Sequence, residues 1–147
     1  MISTPSSWPY IRVAAGLIVD RAGRVLLVRK RGTQTFMQAG GKIEPNESSY
    51  QALLRELQEE LGFSAEPHAP EYLGEFTAQA ANESRHMVKA DVFYIRADLT
   101  VTPAAEIEEI VWIAAGDAMG DVSLPLAPLT RDYLLPIARQ RLADASR

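Results

Sequence analysis

Apolar positions fall in blocks along the chain, and the blocks differ in period. IRVAAGLIVD (11–20) is nearly all apolar and partly β-branched, so it predicts a buried strand. Arg21, Ala22 and Gly23 make a turn, and VLLV (25–28) predicts a second short strand. TFMQ (35–38) runs into the pair Gly40-Gly41, where the backbone can bend sharply or approach a ligand closely. The period then changes from strand to helix over about residues 48–61. Pro45 and Asn46 mark the turn before this helix, Ser48 or Ser49 is placed to cap it, and Gly62 to end it. Two strands follow, at 71–80 and 87–98, joined by a polar turn at Asn82–Ser84; 109–114 predicts another. From Pro128 to Ala143 the pattern is helical again, with Pro136 demanding a kink or a late start. Strands interleaved with helices predict an α/β fold, a mixed sheet covered by helices.

The helix at 48–61 carries an anomaly. Leu53, Leu57, Tyr50, Leu61 and Leu54 fall within about 100° of arc and predict its buried stripe. Glu56, Glu59 and Glu60 lie on the opposite side, spaced so that like charges are neighbours. Arg55 is their one basic neighbour, four residues before Glu59. Ala52 and Ser49, both small, predict open space beside the carboxylates. A solvated acidic face is the plain explanation. Against it stand the scarcity of basic partners and the preceding Gly40-Gly41-Lys42, which suits an anion. Clustered hard oxygens predict a pre-assembled pocket for a hard divalent cation such as Mg²⁺, which also takes phosphate oxygens into its shell.

Composition narrows the setting. A chain of 147 residues, 47% of them hydrophobic, has the size and apolar content of one domain. Its net charge of −4 gives no reason to expect a nucleic-acid polymer or a membrane as partner. No apolar run is long enough to span a membrane, and MISTPSSWPY lacks the pattern of a signal peptide. The absence of cysteine excludes disulfides, thiolate metal sites and cysteine nucleophiles, and fits a reducing compartment. The expectation is a soluble cytoplasmic protein with a flexible arm at 1–10 and a single domain at 11–147.

Written out, GKIEPNESSYQALLRELQEELGF has Gly41, five residues, Glu47, seven residues, then Arg55-Glu56-Leu57-x-Glu59-Glu60-x-Gly62-Phe63. This resembles the Nudix box of the Nudix hydrolases at every fixed position. Phe63 stands where a bulky aliphatic is usual, Ala39 where a proline is usual, and Asn46 where a glycine is usual. Asn tolerates positive φ, so that turn should survive. The resemblance implies an α/β/α sandwich and metal-dependent hydrolysis, with Mg²⁺ or Mn²⁺, of a nucleoside diphosphate linked to another moiety. It implies that Glu59 and Glu60 are metal ligands, Glu56 a ligand or general base, and the Gly40 carbonyl a further ligand. Arg55 would orient the carboxylates, and Glu47 would be an auxiliary metal, substrate or structural partner. A later loop often adds one acidic residue; Glu106 is the choice, with Glu108 and Glu109 as rivals and a solvated acidic loop as the competing explanation.

Lys42 and Arg29, with its neighbours Lys30 and Arg31, are candidate phosphate contacts, although a basic cluster at a strand end is commonly just solvated. Trp8, Tyr72 and Phe76 are candidates to stack on a base, while Trp112 belongs to an apolar strand and predicts core packing. His68 and His86 read as surface or packing residues. The family's sequence marks for ADP-ribose and for dinucleoside polyphosphates are missing; Thr77, Ala78 and Gln79 occupy that region. LAPLTRDY (126–133) has no asparagine with which to read an oxidised guanine. The alternatives are a non-catalytic module that binds a nucleotide or a partner, and a diphosphate isomerase, which the missing cysteine disfavours. A homodimer is compatible with the resemblance.

Overall fold

The computed structural model describes residues 7–115 and 124–145. One seven-stranded sheet runs through it, with the order β3-β2-β1-β6-β5; β4 also pairs with β1, and β7 with β2. The strands are β1 (Tyr10–Val19), β2 (Arg24–Lys30), β3 (Phe36–Met37), β4 (Ala39–Lys42), β5 (Glu71–Gln79), β6 (Met87–Arg96) and β7 (Ile107–Ala114). The sheet is mixed: β1 and β6 run parallel from Tyr10↔Met87 to Val19↔Arg96, and the other pairs are antiparallel. Among the described residues two α-helices cover it, α1 (Ser49–Leu61) and α2 (Leu135–Ala145). Among the described residues no helix is long and apolar enough to cross a membrane. Tyr10 is already part of β1, and the Pro9 carbonyl accepts from the Met87 N–H. Residues 1–6 of the predicted arm lie outside the described residues.

The continuous apolar run at 11–20 is explained by what lies on each face of β1. Ala14 and Ile18 pack with Leu53, Leu57 and Leu61 under α1. Ala15, Leu17 and Val19 pack with Leu134, Leu135 and Ala138 under α2. β2 divides in the same way, Leu26 and Val28 to one side and Val25 and Leu27 to the other. A strand with helices on both faces needs apolar side chains at every position.

The ends of α1 follow their local chemistry. Ser48 Oγ accepts from the Gln51 N–H at 3.1 Å, and Gln51 Oε1 accepts from the Ser48 N–H at 2.9 Å. Two amides that the helix itself cannot satisfy are thereby paired. Gly62 closes the helix at φ 64, and Asn46 holds the preceding turn at φ 67. At the other helix the irregularity expected from Pro136 is a π-helical turn over Thr130–Leu134, in which Leu135 N–H donates to the Thr130 carbonyl. Proline has no N–H to give and crowds the carbonyl four residues back, so the wider turn accommodates it.

Candidate active site

The glycine pair seats β4 between β1 and α1. Gly40 has φ 135, and a Cβ there would collide with the Ala14 carbonyl oxygen. A Cβ on Gly41 would fall within the carboxylate of Glu56, at 2.5 and 2.7 Å from its two oxygens. The backbone therefore passes directly against this glutamate. One turn along α1, Glu60 Oε1 accepts from the Gly40 N–H at 3.1 Å.

Glu60 is only 4% exposed. The helical-wheel assignment of Glu60 to an open acidic face is thus corrected. It lies at the edge of the apolar stripe, and tertiary structure closes over it: β4 on one side, and on the other a loop whose Ala104 N–H donates to the Glu60 carbonyl at 3.0 Å. Burial pushes its carboxyl up to about 7, helped by the charges of Glu56 and Glu106 and opposed by the Gly40 N–H and by Lys30. Ala52 is corrected too. It is fully buried in the core, so its small side chain lets the sheet approach α1 and opens no space beside the carboxylates.

Arg55 is the organiser. Its Nε and Nη2 donate to the two oxygens of Glu47 at 2.7 and 2.9 Å, and Nη1 donates to Glu56 at 2.7 Å. Nη2 also donates to the Lys42 carbonyl at 3.0 Å, tying α1 to the end of β4. Glu44 and Glu59 each lie 3.6 Å from Nη1. Hydrogen bonding to Arg55 pulls the Glu47 carboxyl down to about 2. Its folded-state value is below the ordinary 4.5, so its contribution to stability is complete above that value and is lost as pH falls toward 2. Glu47→Gln should flatten the fall in melting temperature between pH 5 and pH 2, checked by melts across that range; an unchanged slope would remove Glu47 from the account of acid stability.

Because Glu56 and Glu59 turn toward Arg55, the pre-assembled pocket expected from the sequence is corrected as well. Among the described residues, no three acidic or histidine side chains are gathered closely enough to cage an ion. The donor set still fits a hard cation. Glu56 and Glu60 set carboxylate oxygens against Gly41 and Gly40, and Glu59 stands on the same helix 3.6 Å from Arg55; Mg²⁺ commonly completes its shell with water and substrate phosphate.

The remaining candidates divide. Glu106 approaches Glu60 closely enough to raise its carboxyl, and its carbonyl accepts from the Arg31 N–H at 2.7 Å. Its rival Glu109 is paired with Arg29 at 3.2 Å. Glu108 sits where the β2–β7 register shifts, beside a shallow hollow with Leu99 and Trp112. Arg29 is turned away from the glycine pair: besides Glu109 it holds the Thr33 carbonyl at 2.8 Å and covers the Phe36 ring. Lys30, its neighbour in sequence, lies beside the glycine pair instead. Lys30 and Lys42 line a second hollow, beside the glycine pair, where Lys42 is 3.6 Å from Glu83. Trp112 is half-buried against the α1 core. Tyr72 packs on Phe93 and Phe76 on Tyr133. His68 rests on Phe63, and His86 Nδ1 is 2.8 Å from the Ser84 carbonyl.

Sequence reasoning passed over Gln38 and Asn82, which line that hollow. Neither had a local signal, because the two are brought together only by the pairing of β4 with β1 and of β1 with β6.

Known proteins agree with this frame. A family model described as the NUDIX domain matches residues 9–134. The CTP pyrophosphohydrolase of Escherichia coli K12 is 34% identical over 118 residues, which span 76% of this chain and 79% of that protein. The 8-oxo-dGTP diphosphatase of Haemophilus influenzae is 42% identical over 59 residues, 37% of this chain and 43% of that protein. The solution structure of the E. coli ORF135 protein superposes with a TM-score of 0.68 at 31% identity, covering 99% of this chain and 100% of that one. A MutT protein from Methanosarcina mazei Go1 superposes with a TM-score of 0.70 at 23% identity, covering 97% and 100%.

Proposed function

The chain belongs to the Nudix hydrolase family, and on that footing we infer that it is a divalent-metal-dependent pyrophosphohydrolase of nucleoside triphosphates and related nucleoside diphosphate derivatives. The observation that carries this reading is the seam where Gly40 and Gly41 pass against Glu60 and Glu56. Only a chain without side chains at both positions can put its backbone there, and the result is a row of hard oxygen donors beside a hollow. The similarity to a CTP pyrophosphohydrolase over three quarters of the chain supports a nucleoside triphosphate as the first substrate to try.

In this reading Glu56, Glu59, Glu60 and the Gly40 carbonyl would hold Mg²⁺ or Mn²⁺, with Glu106 as the carboxylate added from the loop. Such a cation, when bound, neutralises phosphate charge and acidifies a bound water. The chain's own contribution is positioning. Arg55, anchored by Glu47 and the Lys42 carbonyl, holds Glu56 in one orientation, so that this carboxylate is set in advance to take a proton from a nearby water. Lys30 and Lys42 offer positive charge where a phosphate chain would leave the hollow. Glu47 serves the arginine rather than the substrate. The cysteine-free composition supports a cytoplasmic setting.

The purified protein should release phosphate or pyrophosphate from at least one member of a nucleoside triphosphate and nucleoside diphosphate-sugar panel in Mg²⁺ or Mn²⁺, and EDTA should abolish the release. A folded protein that turns over no member with either metal would show that the reading is wrong, and direct binding of a nucleotide without turnover would point to the non-catalytic module.

A further inference from the structure

A single residue joins β3 to β4, and at that joint the chain changes partners. β3 pairs with β2 through Val28↔Met37 and Arg29↔Phe36, whereas β4 pairs with β1 from Gly16↔Ala39 to Val13↔Lys42. Gln38 stands between the two. A backbone amide at such a change of partner needs its acceptor from elsewhere in the fold. Thr130 supplies it. Its Oγ1 accepts from the Gln38 N–H at 3.2 Å and donates its proton to Gln38 Oε1 at 2.6 Å. One hydroxyl is thus used in both directions, on a residue that is fully buried.

The chain leading to Thr130 is fastened to the same strand. The Phe36 N–H donates to the Pro125 carbonyl at 2.8 Å, and the Ala127 N–H donates to the Phe36 carbonyl at 2.9 Å. Thr130 also opens the π-helical turn, which the Leu135 N–H closes onto its carbonyl. Turns of this width are rare and concentrate at functional sites. The C-terminal part of the chain therefore grips β3 at Phe36 and ends its grip on Gln38, two residues before Gly40. Little slack lies between. Ala39 is fully buried, Gly40 has no room for a Cβ beside the Ala14 carbonyl, and the Gly40 N–H is spent on Glu60. A close-packed joint passes a displacement at Gln38 on to Gly40.

We propose that Thr130 is a positioning residue for the metal site: through Gln38 it fixes where β4 carries Gly40 against Glu60. The proposal rests on the hydrolase reading above, in which the Gly40 carbonyl is a ligand. Thr130 acts only through Gln38, as the partners that orient a ligand do in other metal sites.

The test compares the wild type with Thr130→Val, which keeps the shape and loses the hydroxyl, and with Thr130→Ser, which restores the hydroxyl. Mn²⁺ affinity is read without nucleotide from the electron paramagnetic resonance of the free ion, and CTP hydrolysis is followed against Mn²⁺ concentration. Thr130→Val should weaken Mn²⁺ binding about tenfold and raise the Mn²⁺ needed for half-maximal rate by a similar factor, with KM for CTP at saturating Mn²⁺ little changed. Thr130→Ser should recover most of both losses. If the valine variant does not fold, Gln38→Met decides by the same two constants, because it removes Oε1 at a half-exposed position. A folded variant whose melting temperature falls while Mn²⁺ affinity and activation stay as in the wild type would make the clasp merely structural and overturn the proposal. A change confined to KM for CTP would overturn it as well. A wild type that neither binds Mn²⁺ nor turns over any nucleotide would overturn the hydrolase reading, and the proposal with it.

Discussion

Glu60→Gln is expected to lower kcat about 100-fold or more and, at the same time, to stabilise the metal-free protein above pH 7. The two effects have one cause. Glu60 is buried among the sheet, the Ala104 loop and Glu56, and its carboxyl is held at about 7 instead of 4.5. The unfolded chain ionises it from about 4.5 upward, whereas the folded chain resists until about 7. Stability of the wild type therefore falls as pH rises through that window, and the full cost is reached above 7. Glutamine is neutral throughout and keeps an oxygen for the Gly40 N–H. Its advantage should grow across the window to on the order of 2–3 kcal/mol at pH 8. Added Mg²⁺ or Mn²⁺ should close the gap by stabilising the wild type and not the variant. Thermal melts at pH 5 and pH 8, with EDTA and with metal, give the sign directly. Equal stability of the two proteins at pH 8 in EDTA, with activity unchanged, would remove Glu60 from the site. Glu59→Gln should also lose activity without the stability gain, because Glu59 is exposed on the helix surface.

Gly40→Ala and Gly41→Ala should fail in different ways, although the residues are adjacent. At Gly40 the added methyl meets the Ala14 carbonyl oxygen and the backbone has φ 135. Neither can give way without breaking the pairing of β4 with β1. The expected cost is more than about 4 kcal/mol, enough to leave little folded protein. At Gly41 the three atoms nearest the methyl all belong to the Glu56 carboxylate, a movable side chain. The variant should fold, with Glu56 displaced from Arg55 and turnover down by about 100-fold. Circular dichroism and urea titration separate the two outcomes. A well-folded Gly40→Ala protein would contradict the close approach of β4 to β1.

Much of this was legible in the residues. The capped helix, the paired runs at 71–80 and 87–98, and the doubly apolar run at 11–20 are local patterns, and they became α1, β5 (Glu71–Gln79), β6 (Met87–Arg96) and β1 (Tyr10–Val19), with ends differing by one or two residues. The Nudix box pointed to the family, and the family model and relatives bear that out. Arg55 was legible as a partner of Glu59 at helical spacing, but its principal grip is on Glu47, eight positions earlier and outside the helix. No helical spacing could show that, because the turn at Asn46 brings Glu47 back over α1.

The reading of Glu60 failed for a different reason. Seven residues from Leu53, it lies about 20° from it around the helix, at the edge of the stripe, and grouping it by charge with Glu56 and Glu59 put it on the wrong face. Burial depends on what other elements place over a position. Arg29 and Lys30 make the same point: sequence gives a basic cluster, but successive residues of a strand face opposite sides, and only Lys30 faces the glycine pair.

From residues alone came the family, the mixed sheet between helices and the identity of the glutamate helix, because short-range periodicity, capping and a fixed motif spacing are written in consecutive positions. Folding then sorted the three glutamates into one buried carboxyl, one clamped by arginine and one exposed. It also carried Thr130, 92 positions from Gln38, into contact with it. Those assignments depend on which strands lie side by side, a long-range choice that no window of sequence contains.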